Sequence, residues 1–228
     1  MNQPLIQTVD LKKYFNTPRG KLHAVDNVNL SINHGETLGV VGESGCGKST
    51  LGRVLLRLAD ATSGQILYNG EDILQYNAKQ VKKMRAEMQM IFQDPYASLN
   101  PRMTVSEIIA EPIRIMKTIT DPREINRKVF SLMNTVGLAG RLVNAYPHEL
   151  DGGRRQRIGM ARALAVDPKF IVCDEPVSAL DVSIQAQILN LLMDLQRDMG
   201  LTYMFITHDL SVVRHISDNI AVMYLGQC

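Results

Sequence analysis

Residues 42–49 have the types and spacing of a loop that binds phosphate groups. They read Gly-Glu-Ser-Gly-Cys-Gly-Lys-Ser, which matches the pattern G-x-x-x-x-G-K-[ST]. In such a loop, backbone N–H groups surround an anion, the lysine reaches the β- and γ-phosphates of a nucleotide, and the hydroxyl reaches Mg²⁺. A glycine-rich surface turn is the alternative, but an apolar run at 37–41 precedes the loop and leucines at helical spacing follow it. The predicted phosphate contacts are Gly42, Glu43, Ser44, Gly45, Cys46, Gly47, Lys48, Ser49 and Thr50.

Two adjacent carboxylates, Asp174 and Glu175, follow the apolar run 170–173. A strand that carries acids at its tip beside the phosphate loop can place Asp174 near Mg²⁺ and Glu175 next to the water that attacks the γ-phosphate. An apolar run followed by an acid is also common in strands with a purely structural role. The catalytic interpretation therefore depends on the phosphate loop.

Three other places are ambiguous when each is taken alone. Asp151-Gly152-Gly153-Arg154 precedes a helical pattern, where bare N–H groups could bind an anion. A helix start that is loosened by glycine and capped by Asp151 is the simpler interpretation of those residues. In the same way, Gln93 and His208 are consistent with ordinary polar residues at strand ends.

The elements that must position these residues alternate along the last third of the chain. Helical periodicity is predicted over 154–165 and 184–199, with a further helix before the last strand, and strands are predicted over 170–174, 202–207 and 220–225. Earlier strands are predicted over 37–41 and 88–92. Strands that alternate with helices indicate a parallel sheet that binds ligands at the carboxyl ends of its strands.

Two other regions have a different character. Apolar and polar residues alternate over 4–33, and a hairpin signal at 65–70 ends in Asn-Gly, which together predict antiparallel strands. A helix over 48–58 follows the phosphate loop, and helical patterns over 105–116 and 122–138 predict an all-helical insert between about 94 and 149.

Composition limits the function further. The 228 residues suffice for one large domain or one domain with an inserted subdomain. The formal net charge of +2 argues neither for nor against a nucleic-acid partner, but no block of five or more like charges occurs, so no basic tail of the kind that wraps DNA or RNA is present and we expect no nucleic-acid partner. The apolar runs are far shorter than the ~20 residues that span a bilayer, so any membrane-spanning part would belong to another subunit. The three cysteines have neither metal-ligand nor disulfide-framework spacing, which favours a reducing compartment.

Taken in order, the motifs resemble those of the nucleotide-binding subunits of ABC transporters, from Tyr14 to the last residue. The resemblance rests on the phosphate loop, Gln93, the Gly-Gly segment at 150–154, the Asp174-Glu175 strand, the segment 178–181 and His208. Residues 91–102 and 176–187 further resemble the oligopeptide/dipeptide importer branch, which also includes nickel and opine uptake systems.

The resemblance implies an α/β fold of the P-loop NTPase (RecA-like) type, with a parallel-sheet core, an N-terminal antiparallel β subdomain and an inserted α-helical subdomain. The expected boundaries are 1–93 and 165–228 for the β subdomain and core, and 94–164 for the helical subdomain. Members of this branch continue past the last strand, whereas this sequence stops at Cys228. We therefore expect the C-terminal extension of the family to be absent from it.

The resemblance also implies a role for each matching residue. ATP and Mg²⁺ are the implied ligands, and hydrolysis of ATP is the implied activity. Tyr14, with Phe15 as the alternative, would stack on adenine, and Asp151, Gly152, Gly153 and Arg154 would contact nucleotide across a dimer. In the site itself, Lys48 would bind the β- and γ-phosphates, and His208 would touch the γ-phosphate. Mg²⁺ would be surrounded by Ser49, Gln93 and Asp174, and Glu175 would be the general base. Asp181 would lie at the dimer interface.

The implied partners are a second nucleotide-binding subunit, identical or paralogous and arranged head to tail, and transmembrane permease subunits. A solute-binding protein outside the cytoplasm would act indirectly, and the chain would lie peripherally on the cytoplasmic face of the membrane. The family's Leu-Ser-Gly-Gly-Gln is changed here, because Asp151 replaces serine and Arg154 replaces glutamine. This change leaves a regulatory subunit that binds ATP without hydrolysing it as one alternative. An ABC ATPase outside transport, acting on DNA or ribosomes, is the other.

Overall fold

Nine strands and eight α-helices make up the part of the chain that the computed structural model describes, residues 3–18 and 20–228. The strands are β1 (Ile6–Thr17), β2 (Gly20–Ile32), β3 (Thr37–Gly42), β4 (Ser63–Tyr68), β5 (Glu71–Asp72), β6 (Met88–Ile91), β7 (Phe170–Asp174), β8 (Thr202–Ile206) and β9 (Asn219–Met223). The helices are α1 (Lys48–Leu55), α2 (Ala78–Glu87), α3 (Pro95–Ser98), α4 (Val105–Met116), α5 (Pro122–Thr135), α6 (Gly152–Leu164), α7 (Val182–Met199) and α8 (Leu210–Ile216).

A five-stranded parallel sheet with the order β6-β7-β8-β3-β9 carries the motifs. Every residue of β7 and β8 is buried, as expected for strands that are covered on both faces. Because the strands are parallel, their carboxyl ends lie at one edge, and Asp174 at the tip of β7 pairs in register with Ile206 at the tip of β8. The α/β fold with a parallel core is therefore confirmed.

A second, antiparallel sheet contains the first strands of the chain in the order β2-β1-β4-β5. The long hairpin β1–β2 and the short hairpin β4–β5 agree with the alternation and the Asn-Gly signal in the sequence. Leu5, Ile6, Leu11, Val25 and Val28 of this region are buried in a core that this sheet shares with α1 and one face of the parallel sheet.

Helices α4, α5 and α6 form the helical region between β6 and β7. Thr104 starts α4 with a capping box that includes Glu107, and Asp121 caps α5, whose first residue is Pro122. Their apolar faces join the other large core cluster, which also contains residues of α7 and of β7 and β8. No helix in the described ranges has the length and hydropathy that crossing a membrane requires.

Several helix ends differ from the sequence predictions. Helix α1 ends at Leu55 rather than at 58, and α5 ends at Thr135, since Gly137 adopts a φ of +69°. Helix α2 was not predicted, because Met84 is its only buried residue and an apolar period is lacking. The signal available was its capping box, in which Asn77 and Gln80 bond reciprocally to the backbone.

Candidate functional site

In the loop between β3 and α1, the lysine side chain is buried and bonds to the backbone of the loop itself. Lys48 is 5% exposed, and its Nζ donates to the backbone oxygens of Gly42 and Glu43 at 2.8 Å each. Gly47, at the start of α1, has a φ of +109°, and a Cβ there would lie 1.9 Å from the backbone oxygen of Ala24. Only glycine fits this position, which explains the second glycine of the pattern.

Ser49 and Asp174 meet directly, although they are 125 residues apart. The Ser49 hydroxyl donates to Asp174 Oδ1 at 2.6 Å, and Asp174 is 3% exposed. Burial raises the pKa of the Asp174 carboxyl, while the hydrogen bond from Ser49 and the charge of Arg53 act in the opposite direction. A hydroxyl and a carboxylate side by side are the hard oxygen donors that Mg²⁺ prefers, so these two residues fit that ion.

Glu175 lies between the side chains of Gln93 and His208. Gln93 Nε2 donates to Glu175 Oε2 at 2.9 Å, and His208 Nδ1 is 3.4 Å from Glu175 Oε1. Glu175 has a φ of +46°, a conformation that costs a non-glycine residue roughly 1–3 kcal/mol and is concentrated at functional sites. Its backbone N–H donates to Ile206 at 3.0 Å, so the neighbouring strand holds the turn in this conformation.

One cavity of about 680 Å³ brings these residues together except Asp174, which lines a neighbouring groove and reaches the cavity through its hydrogen bond with Ser49. Its walls include the phosphate loop and the tips of the strands at the carboxyl edge of the parallel sheet, where α/β folds bind ligands. The predicted residues along it are Ser44, Gly45, Gly47, Lys48, Ser49, Thr50, Gln93, Glu175 and His208.

The same cavity is lined by Phe15, Leu22 and His23, whereas Tyr14 is not among its lining residues. The Tyr14 ring stacks on His23 with centroids 3.9 Å apart, and its hydroxyl donates to Asp26 Oδ1. That hydrogen bond raises the pKa of Tyr14 and lowers the pKa of Asp26. Of the two aromatic residues considered for adenine, the geometry therefore favours Phe15, which is 40% exposed.

Leu22 and His23 were not singled out in the sequence. A usable signal existed, because the turn residues at 16–20 predict a hairpin, and its register pairs Phe15 with Leu22 and Tyr14 with His23. Ala24, Leu225 and Gly226 also line the cavity and were missed. The hydrogen bond from Gly226 N to Cys46 O holds Leu225 and Gly226 next to the loop, and the backbone oxygen of Ala24 lies against Gly47.

The Gly-Gly segment lies outside this cavity, at the start of α6. Asp151 Oδ1 accepts from Arg154 N at 2.8 Å, so Asp151 is the helix N-cap that the simpler interpretation describes. The Arg154 guanidinium is 3.4 Å from Asp151 Oδ2. A Cβ on Gly153 would lie 2.7 Å from Ile184 Cγ2, so this glycine also permits close packing of α6 against α7.

Asp181 likewise lies away from the cavity. It is exposed at the N-cap position of α7, where its side chain makes no capping hydrogen bond. Within one chain the structure thus brings together the residues of the phosphate loop, Gln93, Asp174, Glu175 and His208. It leaves Asp151, Gly152, Gly153, Arg154 and Asp181 outside the cavity, at the starts of α6 and α7, where Asp151, Arg154 and Asp181 are exposed and Gly153 is buried.

The family described as ABC transporter matches residues 25–178. The chain belongs to this family. This ABC chain is 57% identical to the oligopeptide transport ATP-binding protein OppF of Bacillus subtilis over 228 residues, which is 100% of the chain and 75% of OppF. It is 48% identical to the dipeptide transport ATP-binding protein DppF of Escherichia coli, over 100% of the chain and 70% of DppF.

Solved ABC structures have the same fold. A dimeric structure of the ATP-binding cassette MJ0796 bound to ADP and Pi superposes with a TM-score of 0.88 at 28% identity, and covers 97% of this chain and 95% of that one. The ABC chain is accordingly an ATPase of the ATP-binding cassette type, with ATP as its nucleotide.

Proposed function

We propose that this chain is the ATP-hydrolysing subunit of an importer for oligopeptides, dipeptides or a related small solute. The observation that carries the proposal is the placement of Glu175 between Gln93 and His208 in the cavity that also contains Lys48. The names of the relatives OppF and DppF support the choice of solute. The chain would act at the cytoplasmic face of the membrane as a peripheral subunit.

Four side chains of the cavity have a task in the proposed reaction. Lys48 and the N–H groups of the loop hold the triphosphate, and the Gln93 amide orients a water against the γ-phosphorus. Glu175 accepts a proton from that water as its oxygen bonds to phosphorus, and the bond from phosphorus to the bridging oxygen breaks to release ADP. His208, beside Glu175, would donate a hydrogen bond to the γ-phosphate.

Mg²⁺ would be held by Ser49 and Asp174, with the Gln93 amide oxygen nearby, and would neutralise charge on the phosphates. The hydrogen bond between Ser49 and Asp174 orients both oxygens before the ion binds. Since burial raises the pKa of the Asp174 carboxyl, a nearby cation would favour its ionised form.

A groove of about 710 Å³ is our proposed docking site for the permease subunits. It lies between the end of β6 and the helices α4 and α6. We also propose that residues 94–164, which include these two helices, form the helical subdomain. Gln93 lines both this groove and the nucleotide cavity, so one side chain faces both sites. Other residues of the groove are Phe92, Asp94, Pro112, Met116 and Arg162.

We further propose that Asp151, Gly152, Gly153 and Arg154 face ATP on a second nucleotide-binding subunit, with Asp181 at the same interface. The dimeric cassettes among the solved structures support this arrangement. An ionised Asp151 would oppose the γ-phosphate there, and Arg154 would compensate the charge.

Replacing Asp151 by serine tests this arrangement. We expect Asp151→Ser to leave the Kd for ATP of the monomer unchanged and to raise dimer-dependent hydrolysis by up to about fivefold, because one exposed like charge is removed. Asp121→Ser is the matched control, since Asp121 is also an N-cap, whose side chain accepts from a backbone N–H in the first turn of α5. Equal turnover of Asp151→Ser and the parent would count against any role of Asp151 near the γ-phosphate.

The adenine contact is tested with paired variants of the two aromatic residues. We expect Phe15→Ala to weaken ATP binding about tenfold, as stacking of a base on an aromatic ring contributes about 1–3 kcal/mol. Tyr14→Phe keeps the stacking on His23 and should change the Kd less than twofold. Isothermal titration with ATP measures the Kd of both variants and of Tyr14→Ala, and a larger loss in Tyr14→Ala than in Phe15→Ala would return the role to Tyr14.

The transport function is tested by reconstitution with the permease subunits in lipid vesicles. We expect peptides, presented by the solute-binding protein, to stimulate ATP turnover. A chain that hydrolyses ATP at the same rate with and without permeases and peptides would instead be an ABC ATPase outside transport. A chain that binds ATP without any turnover would be the regulatory subunit that Asp151 and Arg154 leave as the alternative.

A further inference from the structure

Arg155, in the first turn of α6, is a buried cation that contacts an aromatic ring. It is 6% exposed, and its guanidinium carbon lies 3.6 Å from the centroid of the Tyr96 ring. Its Nε donates to the backbone oxygen of Pro147 at 2.6 Å, and its Nη1 has no hydrogen-bond partner in the described part of the chain. A buried cation is unfavourable unless its surroundings compensate the charge. The face of the Tyr96 ring is the compensating group beside it.

Tyr96 belongs to the turn that follows Gln93. Asp94 Oδ1 accepts from Tyr96 N at 2.7 Å and so fixes the start of α3. Tyr96 remains 65% exposed, so its own burial does not account for its position. Its ring covers Arg155 on one side, while three residues earlier Gln93 donates to Glu175.

Arg162 holds the other end of the same turn. It lies seven residues after Arg155 in α6, about two helical turns, and therefore on the same face. Its Nη1 donates to the backbone oxygen of Ser98 at 2.6 Å, and its guanidinium is 5.8 Å from the ring centroid of Phe92. Residues 92–98 are thus attached to α6 at both ends.

We propose that Tyr96 and Arg155 are positioning residues that keep the Gln93 amide against Glu175. Their contact fixes the turn that carries Gln93 to the first turn of α6, directly after the Gly-Gly segment. The proposal deepens the proposed ATPase function and rests on it.

Loss of the Tyr96 ring has a specific consequence. The turn would keep the hydrogen bond from Arg162 to Ser98 but would lose the contact between Arg155 and the Tyr96 ring, which is the attachment nearest to the Gly-Gly segment. Gln93 would then orient the attacking water less well, whereas Lys48 and Ser49 would bind the triphosphate as before. The kcat for ATP therefore falls while the KM stays the same.

The experiment compares four full-length proteins in ATP turnover with their permease complex. We expect Tyr96→Leu to lower kcat by about fivefold or more with the KM for ATP within about twofold of the parent. Tyr96→Phe keeps the ring face and should retain the parent kcat. Phe130→Leu is the matched control, since Phe130 is another exposed aromatic residue of the helical subdomain, and none of the arginines that the structure describes lies over its ring.

A double variant separates positioning from general destabilisation. If Tyr96 acts through Gln93, Tyr96→Leu in a Gln93→Ala background should lower kcat by less than about twofold. The proposal is overturned if Tyr96→Leu turns over ATP like the parent, if Tyr96→Phe loses as much as Tyr96→Leu, or if the full loss persists without Gln93. The turnover of the parent protein tests the ATPase function separately. If the parent does not hydrolyse ATP, that function is overturned, whatever the Tyr96 variants do.

Discussion

Lys48→Met is expected to weaken ATP binding by about ten- to a hundredfold and to lower turnover by at least about a hundredfold. The first value follows because a charge-assisted hydrogen bond contributes about 1.5–3 kcal/mol. The second follows because a fixed charge at the γ-phosphate stabilises the transition state more than the bound ground state. Methionine keeps most of the buried stem of Lys48 and removes only its charge and donors. Titration calorimetry with ATP and a phosphate-release assay measure the two effects.

The control for Lys48→Met is Lys128→Met. Lys128 pairs with Asp167 at the surface of the helical region, so its loss removes the same charge without touching the cavity. Should Lys48→Met bind ATP as tightly as Lys128→Met, the phosphate site at residues 42–49 would be refuted.

Glu175→Gln is expected to lower ATP turnover by about a hundred- to ten-thousandfold, the range over which a general base contributes. Glutamine has the same shape, and its amide oxygen can still accept from Gln93, so we expect the fold and the Kd for ATP to stay unchanged. Equilibrium ATP binding together with single-turnover hydrolysis separates these quantities.

Glu124→Gln provides the matched control for Glu175→Gln. Glu124 is an exposed carboxylate in the first turn of α5 and faces no part of the nucleotide cavity. Turnover of Glu175→Gln close to that of the control would exclude Glu175 as the base, and loss of ATP binding would assign it a structural role instead.

Most of the fold could be predicted, because its signals are local. The strand before residues 42–49, the Asp121-Pro122 helix start and the Asn-Gly hairpin each depend on neighbours in the chain. Helix α2 could not be found by periodicity, since its polar surface buries only Met84. The length of α5 was overestimated because apolar residues continue in the helical period past the left-handed Gly137.

The base-binding end of the site was less predictable. Tyr14 and Phe15 are consecutive aromatic residues of one strand, and successive side chains of a strand point to opposite faces. Which of the two faces the loop depends on the hairpin register and on the contacts of Tyr14 with His23 and Asp26. Composition and spacing contain no information on that choice.

By itself, the sequence determined the phosphate loop, the acids at the tip of β7 and the order of motifs that marks an ABC chain. These are contiguous patterns whose backbone geometry depends on their own glycines and flanking elements. Only the tertiary structure decided that Gln93 and His208 flank Glu175, that Phe15 rather than Tyr14 lines the cavity, and that Tyr96 covers Arg155. Those contacts join residues far apart in the chain, and strand order and side-chain packing, which no local pattern records, bring them together.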